Sequence, residues 1–193
     1  MDLRAPLARI SEVVTATAGQ ITARNDPAPD ERRLIADAAE GSVPAVEELY
    51  RRHWRPAYRA AYLITRDASA AEDIAQEGLL AALQRLERFD RARPFAPWLH
   101  RIVANRALDH ARARAVRRAS GEAPGASEDP APLDDDLLGA LATLSPDHRA
   151  VVVLRYLLDY TPGEIATMLE LPRGTINSRL RRALDALAEV VER

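Results

Sequence analysis

Two groups of side chains in this sequence are of the types that recognise phosphates and bases. The first lies between Phe89 and Arg118. Placed at 100° per residue, Trp98, Arg101, Asn105 and Arg112 share one stripe of a helix, while Leu99, Val103 and Ala107 lie to the other side. An aromatic ring can stack on an unpaired base, a guanidinium holds phosphate oxygens, and an amide can read a base edge. Phe89, Arg91, Arg93 and Phe95 fall in the preceding loop and suit the wall of a pocket for an unstacked base. Trp98 and Phe95 suit a hydrophobic core about as well. The arginines are harder to assign to an ordinary surface: residues 91–118 hold eight of them (91, 93, 101, 106, 112, 114, 117 and 118) against one acid, Asp109.

The second group lies near the C-terminus. Thr161-Pro162-Gly163-Glu164 has the form of a capped helix start, with Thr161 as cap, Pro162 at the first helical position and Glu164 reaching back. Ile165, Ala166 and Leu169 follow at helical spacing. Glu170-Leu171-Pro172 breaks the run, and Pro172 opens the next helix. From Arg173 to Arg182 there are four arginines and no acid. Ile176, Leu180, Ala183, Leu184 and Leu187 gather on one side of that helix. Ser178, Arg181, Arg182 and Asp185 point the other way, with Asn177 at the edge. Two short helices, the second cationic on its outer face, read as a helix-turn-helix that offers side chains to a DNA groove.

Other chemistry has no foothold. There is no Gly-rich phosphate loop, nucleophile elbow or paired His–carboxylate spacing, so the chain reads as a non-enzyme without cofactor. It has no cysteine, and His53, His100, His110 and His148 are scattered, which argues against a metal site. No apolar run approaches a membrane span, and Arg4, Pro6 and Arg9 interrupt what would be a signal-peptide core. A cytoplasmic protein with no membrane contact of its own is expected.

These side chains must be positioned by helices. Ala, Leu, Arg and Glu dominate, aromatics make up 5%, and β-branched runs are scarce. The expected fold is all-α, two small helical domains joined by a flexible acidic linker. Residues 1–30 read as an N-terminal extension, a weak amphipathic helix through Leu3, Leu7, Ile10, Val14 and Ile21 or a loose tail, ending in Asp26-Pro27-Ala28-Pro29-Asp30. Residues 31–118 form the first domain, with helices near 31–40, 44–65, 68–87 and 97–118. Pro56 is a candidate kink in the second of them. Residues 119–136 form the linker, holding three prolines, two glycines and, from Glu122 to Asp136, six acids with no base. It reads equally as a solubilising spacer and as a polyanion that could lie in a basic channel. Residues 137–193 form the second domain, with helices near 134–143, 146–158, 162–169 and 173–191. On the third helix, Asp73, Gln76, Glu77 and Leu80 sit among acidic and apolar neighbours. Alone they fit a solvated face; a protein-docking face is the other reading.

In order and spacing, three stretches resemble one family: Asp67 to Glu77 (DASAAEDIAQE), Pro97 to Arg106 (PWLHRIVANR) and Gly174 to Leu180 (GTINSRL). Together they look like an extracytoplasmic-function sigma factor, the two-domain group of the sigma-seventy superfamily, over about residues 31–190. The resemblance implies a factor that directs promoter-specific initiation by core RNA polymerase. The third helix, through Asp73, Gln76, Glu77 and Leu80, would bind the clamp helices of the polymerase β′ subunit. Phe89, Arg91, Arg93, Phe95, Trp98, Arg101, Asn105, Arg106 and Arg112 would melt the minus-ten element and hold a flipped base. The second domain would dock on the β flap and read the minus-thirty-five element with Arg173, Thr175, Asn177, Ser178, Arg179, Arg181 and Arg182. The linker would thread toward the RNA-exit channel. The free protein would be a monomer or a 1:1 complex with an anti-sigma factor.

The chain departs from the family pattern in places. Many relatives carry a basic residue where this chain has Asn177. Pro94 and Pro97 stiffen the base-pocket loop, and the N-terminal extension has no counterpart. Two rival readings stay on the table. A helix-turn-helix regulator acting without polymerase would need a dimer interface and a palindrome. A sigma-mimicking adaptor would lack the basic faces that residues 91–118 show.

Overall fold

The computed structural model describes residues 29–91, 93–121 and 135–191. Among them every regular element is helical. Four α-helices make the first half: α1 (Pro29–Ala39), α2 (Val43–Thr65), α3 (Ala68–Leu83) and α4 (Phe95–Ala119). Four make the second: α5 (Asp135–Thr143), α6 (Pro146–Val152), α7 (Pro162–Leu169) and α8 (Arg173–Val191). The expected extension at 1–28 and most of the expected linker fall outside the described residues.

Caps written in the sequence set the boundaries. Asp67 accepts from the Ala70 N–H at 3.1 Å to start α3, and Ser145 starts α6. The capping box at α7 is complete: Thr161 Oγ1 accepts from the Glu164 N–H at 3.3 Å, and the Thr161 N–H donates to Glu164 Oε2 at 2.7 Å. Each cap contributes about 1 kcal/mol. Helices α2 and α7 end on left-handed residues, Arg66 (φ 55°) and Glu170 (φ 55°), at positions where glycine is the usual solution.

Helix α2 is the spine of the first half and packs against α1, α3 and α4. Leu49, Ala57, Ala61, Ile64, Ala75, Leu79, Leu99 and Val103 are fully buried between them. Gly78 lets α3 approach α4 closely; a Cβ there would stand 2.8 Å from Val103 Cγ2. In the second half α8 packs on α5, α6 and α7, burying Ile176, Leu180, Ala183 and Leu187. The two halves dock, α6 on α4 and α2 and α7 on α4, and their apolar residues form one continuous core.

Three expectations change. Helix α4 begins at Phe95 rather than at 97, because Pro94 in extended backbone (φ −67°, ψ 140°) serves as its cap. The third helix stops at Leu83, and Leu86–Arg88 forms a separate 3₁₀ turn. The single helix expected at 146–158 is α6 followed by a wide π turn, Val153–Leu157, with the Leu158 N–H bonded to the Val153 carbonyl at 3.1 Å. Pro56 lies inside an unbroken α2.

Candidate nucleic-acid interface

The aromatic residues of the first group meet. Phe95 is fully buried and presents its edge to Trp98 (centroids 5.7 Å, 70°) and Phe89 (5.8 Å, 80°). Phe89 and Trp98 lie 4.7 Å apart at 30° and are half-buried. The Phe95 assignment as a base contact is therefore corrected: its ring is core, wedged beside His53 at 4.8 Å, and it buttresses the two rings that do reach the surface. Trp98 and Phe89 wall a cleft of about 700 Å³. Arg93 and Arg101 line it, as do Arg85, which falls within the helix expected at 68–87, and Arg88, just past its end. The 3₁₀ turn that replaces the end of that helix is what carries Arg85 and Arg88 to this cleft. Arg91 is exposed on the loop and does not line it.

The far wall of the cleft belongs to the second domain, through Tyr160, Glu164, Thr167 and Met168. This is the largest departure from the sequence reading, which kept the two domains apart. The Asn105 amide nitrogen donates to the Arg101 carbonyl at 2.9 Å and to the Met168 carbonyl at 2.8 Å. Both of its N–H groups are thus engaged. Arg101 donates to Glu170 Oε1 at 2.5 Å. Arg112 donates to Asp147 at 2.6 Å, and Arg179 pairs with the same carboxylate at 2.8 Å. The Arg112 bond, ahead of the Arg179 charge, holds the Asp147 carboxyl below its ordinary range. Under these contacts His100 Nδ1 meets the Tyr160 hydroxyl at 2.7 Å. Burial, with His53 nearby, lowers the His100 pKa to about 4, so its ring is neutral at pH 7. Burial likewise raises that of Tyr160. Neither residue type nor spacing points to this pair.

The second group is presented as its spacing predicts. Arg173, Asn177, Arg181 and Arg182 are exposed on α8, and Thr175 and Ser178 are half-exposed. Ser178 Oγ donates to the Thr175 carbonyl at 2.9 Å. Arg179 differs: it is turned toward Asp147 and α4 instead of outward.

On α3, Asp73, Gln76, Glu77 and Leu80 are all exposed, with Leu80 at 47%. Glu77 pairs with Arg106, joining this acidic face to the basic one. Among the described residues no helix is long and apolar enough to cross a membrane, and no cluster of three metal-ligating side chains occurs.

Comparison with known proteins gives these surfaces a context. The sequence profile of Sigma-70 region 2 matches residues 49–117, and that of Sigma-70, region 4 matches residues 134–187. The chain is 36% identical over 163 residues to ECF RNA polymerase sigma factor SigL of Mycobacterium tuberculosis, covering 79% of this chain and 92% of that one. It is 32% identical over 167 residues to SigM of the same species, covering 82% and 83%. Among solved structures, CnrH in complex with the cytosolic domain of CnrY is similar at a TM-score of 0.62 and 28% identity, over 83% of this chain and 96% of that one. RpoE bound to the anti-sigma factor NepR from Bartonella quintana shares the fold at a TM-score of 0.59 and 23% identity, over 76% and 96%. The chain belongs to the extracytoplasmic-function family of RNA polymerase sigma factors, non-catalytic subunits that direct promoter-specific initiation.

Proposed function

We propose that this sigma factor joins core RNA polymerase through the exposed face of α3, with Asp73, Gln76, Glu77 and Leu80 against the β′ clamp helices. Helix α8 enters the major groove of the minus-thirty-five element, with Arg173, Thr175, Asn177, Ser178, Arg181 and Arg182 turned to bases and phosphates. The aromatic cleft takes an unstacked base of the minus-ten element, Trp98 and Phe89 against its face, with Arg93 and Arg101 on the backbone and Asn105 for the base edge. Arg91, Arg106 and Arg112 supply further phosphate contacts. The observation that carries this reading is the aromatic cleft rimmed by four arginines on the domain that matches region 2.

In the docked arrangement Asn105, Arg101 and Arg112 hold the second domain, so these contacts must exchange before DNA is bound. Polymerase supplies the means, because docking each domain on a different subunit separates them and makes the second DNA contact intramolecular. The solved relatives are bound to CnrY and to the anti-sigma factor NepR. An anti-sigma factor that grips the docked form is the matching partner here, with the free protein a cytoplasmic monomer. The test is run-off transcription with sigma-free core polymerase from the DNA upstream of the protein's own gene. Discrete transcripts that require both proteins support the reading; a chain that never associates with core ends it.

A further inference from the structure

The domain junction contains a second cavity, sharing no lining residue with the aromatic cleft. It measures about 270 Å³ and is lined by four arginines from three elements: Arg66 at the end of α2, Arg114 and Arg118 on α4, and Arg149 on α6. Arg149 is 8% exposed. Its Nη2 donates to the Leu144 carbonyl at 3.2 Å, while its Nε lies buried with no hydrogen-bond partner among the described residues. An unpartnered buried guanidinium nitrogen is costly and calls for an acceptor. Burial, and then the charges of Arg66, Arg118 and Arg114, push the Arg149 pKa down to about 10. Among the described residues no acid offsets them at Arg149. Asp67 lies 3.7 Å from Arg114 and already caps α3. Arg66 adds a second anomaly, since it holds a left-handed backbone (φ 55°) of the kind that glycine adopts without strain. Like charges gathered at an interface drive the domains apart unless something neutralises them.

We propose that this cavity is an oxyanion site for a phosphate-bearing ligand of the size of pyrophosphate, and that the ligand clamps the two domains together. Guanidinium forks match phosphate oxygens two at a time, and a multiply charged phosphate balances four cations where one carboxylate cannot. At about 270 Å³ the cavity has room for a small polyanion. A DNA strand is a poorer match, because Arg149 is buried between the domains and the cavity exists only when they are docked. A ligand bound only by the docked form shifts the population toward it. That form engages Asn105 and Arg101, so occupation would oppose promoter capture. This consequence rests on the sigma-factor reading of those residues; the binding itself does not.

The test titrates the full chain with pyrophosphate in a calorimeter at about 0.15 M salt. One saturable site is expected. Arg118→Gln and Arg66→Gln should each weaken it by about tenfold or more. Arg117→Gln, exposed beside Arg118 and off the cavity, should change it by less than about twofold. The chain has no cysteine, so labels at Val43→Cys and Glu189→Cys report domain separation, and pyrophosphate should narrow that distance distribution in the parent but not in the Arg118→Gln background. No saturable binding at millimolar pyrophosphate, or equal losses in Arg118→Gln and Arg117→Gln, overturns the site. Binding without a change in distance overturns the clamp. Binding that emerges only after Glu122, Glu128 and Asp129 are neutralised makes the chain's own acidic segment the occupant and overturns the ligand. No polymerase is used, so each outcome is independent of the initiation assay.

Discussion

The side-chain amide of Asn105 in the first domain donates to the main-chain carbonyl of Met168 in the second, at 2.8 Å. A group suited to reading a base edge therefore serves as an interdomain tether in the docked protein. Asn105→Ala removes both roles. It should lower the rate of open-complex formation by about tenfold or more, the worth of one base contact, and leave the affinity for core polymerase unchanged. Stopped-flow detection of melting beside an equilibrium titration of core separates the two. Equal losses in both would make Asn105 purely structural.

Glu170 joins two features that pull in opposite directions. Its backbone is left-handed (φ 55°), and its carboxylate pairs with Arg101, yet the two side chains are 72% and 46% exposed. Glu170→Gly relieves about 1 kcal/mol of backbone strain and loses an exposed pair worth about 0–1 kcal/mol. Folding stability should change by less than about 1 kcal/mol, while the docked arrangement loosens. Small-angle scattering of the free chain should show a larger radius of gyration; an unchanged radius would mean that the pair does not hold the domains.

Gly78 sets the distance between the α3 face proposed for polymerase and the α4 face proposed for DNA. Gly78→Ala gains about 1 kcal/mol of helix propensity but drives a methyl to 2.8 Å from Val103 Cγ2, in a fully buried site where overpacking costs about 1–3 kcal/mol. A net loss of about 1 kcal/mol is expected in urea unfolding. Adding Val103→Ala should reverse the steric part, giving a favourable coupling in the double-mutant cycle.

Protonation of His100 is disfavoured in the folded protein, its pKa falling from 6.5 to about 4 through burial between His53 and Tyr160. A base with a depressed folded pKa contributes its full stability above pH 6.5 and loses it as pH falls toward 4. The slope in that window is about 1.4 kcal/mol per pH unit. Unfolding free energies between pH 6.5 and 4.5 should therefore fall more steeply for the parent than for His100→Asn. Parallel curves would place the titration elsewhere.

Arg182 is exposed on the outer face of α8, opposite the buried Ile176, Leu180 and Ala183. Arg182→Ala should weaken holoenzyme binding to the upstream promoter element by about 1–3 kcal/mol while sparing the downstream element. Footprints on promoters with each element scrambled in turn would show which contact was lost.

Periodicity and the Thr161 cap made most of the helices legible, because amphipathic spacing and a capping box are local. The outward set on α8 was legible for the same reason. Phe95 was misplaced because an aromatic beside arginines has the composition of a base pocket whether it faces solvent or core. Arg85 and Arg88 were missed because a helical run continues past Leu83 on paper, while the chain turns there. The docking of the halves, and with it Tyr160 against His100 and Asp147 against Arg112, depends on contacts 35 to 69 residues apart. No periodicity encodes them.

The most direct test of the central claim compares binding of a labelled promoter duplex by the chain alone and by the chain with sigma-free core polymerase. Binding alone should be weak and salt-sensitive, since the docked domains engage Asn105 and Arg101, and binding with core should be tight and sequence-specific. Tight sequence-specific binding by the chain alone, unchanged by core, would contradict that claim and make this a free-standing DNA regulator.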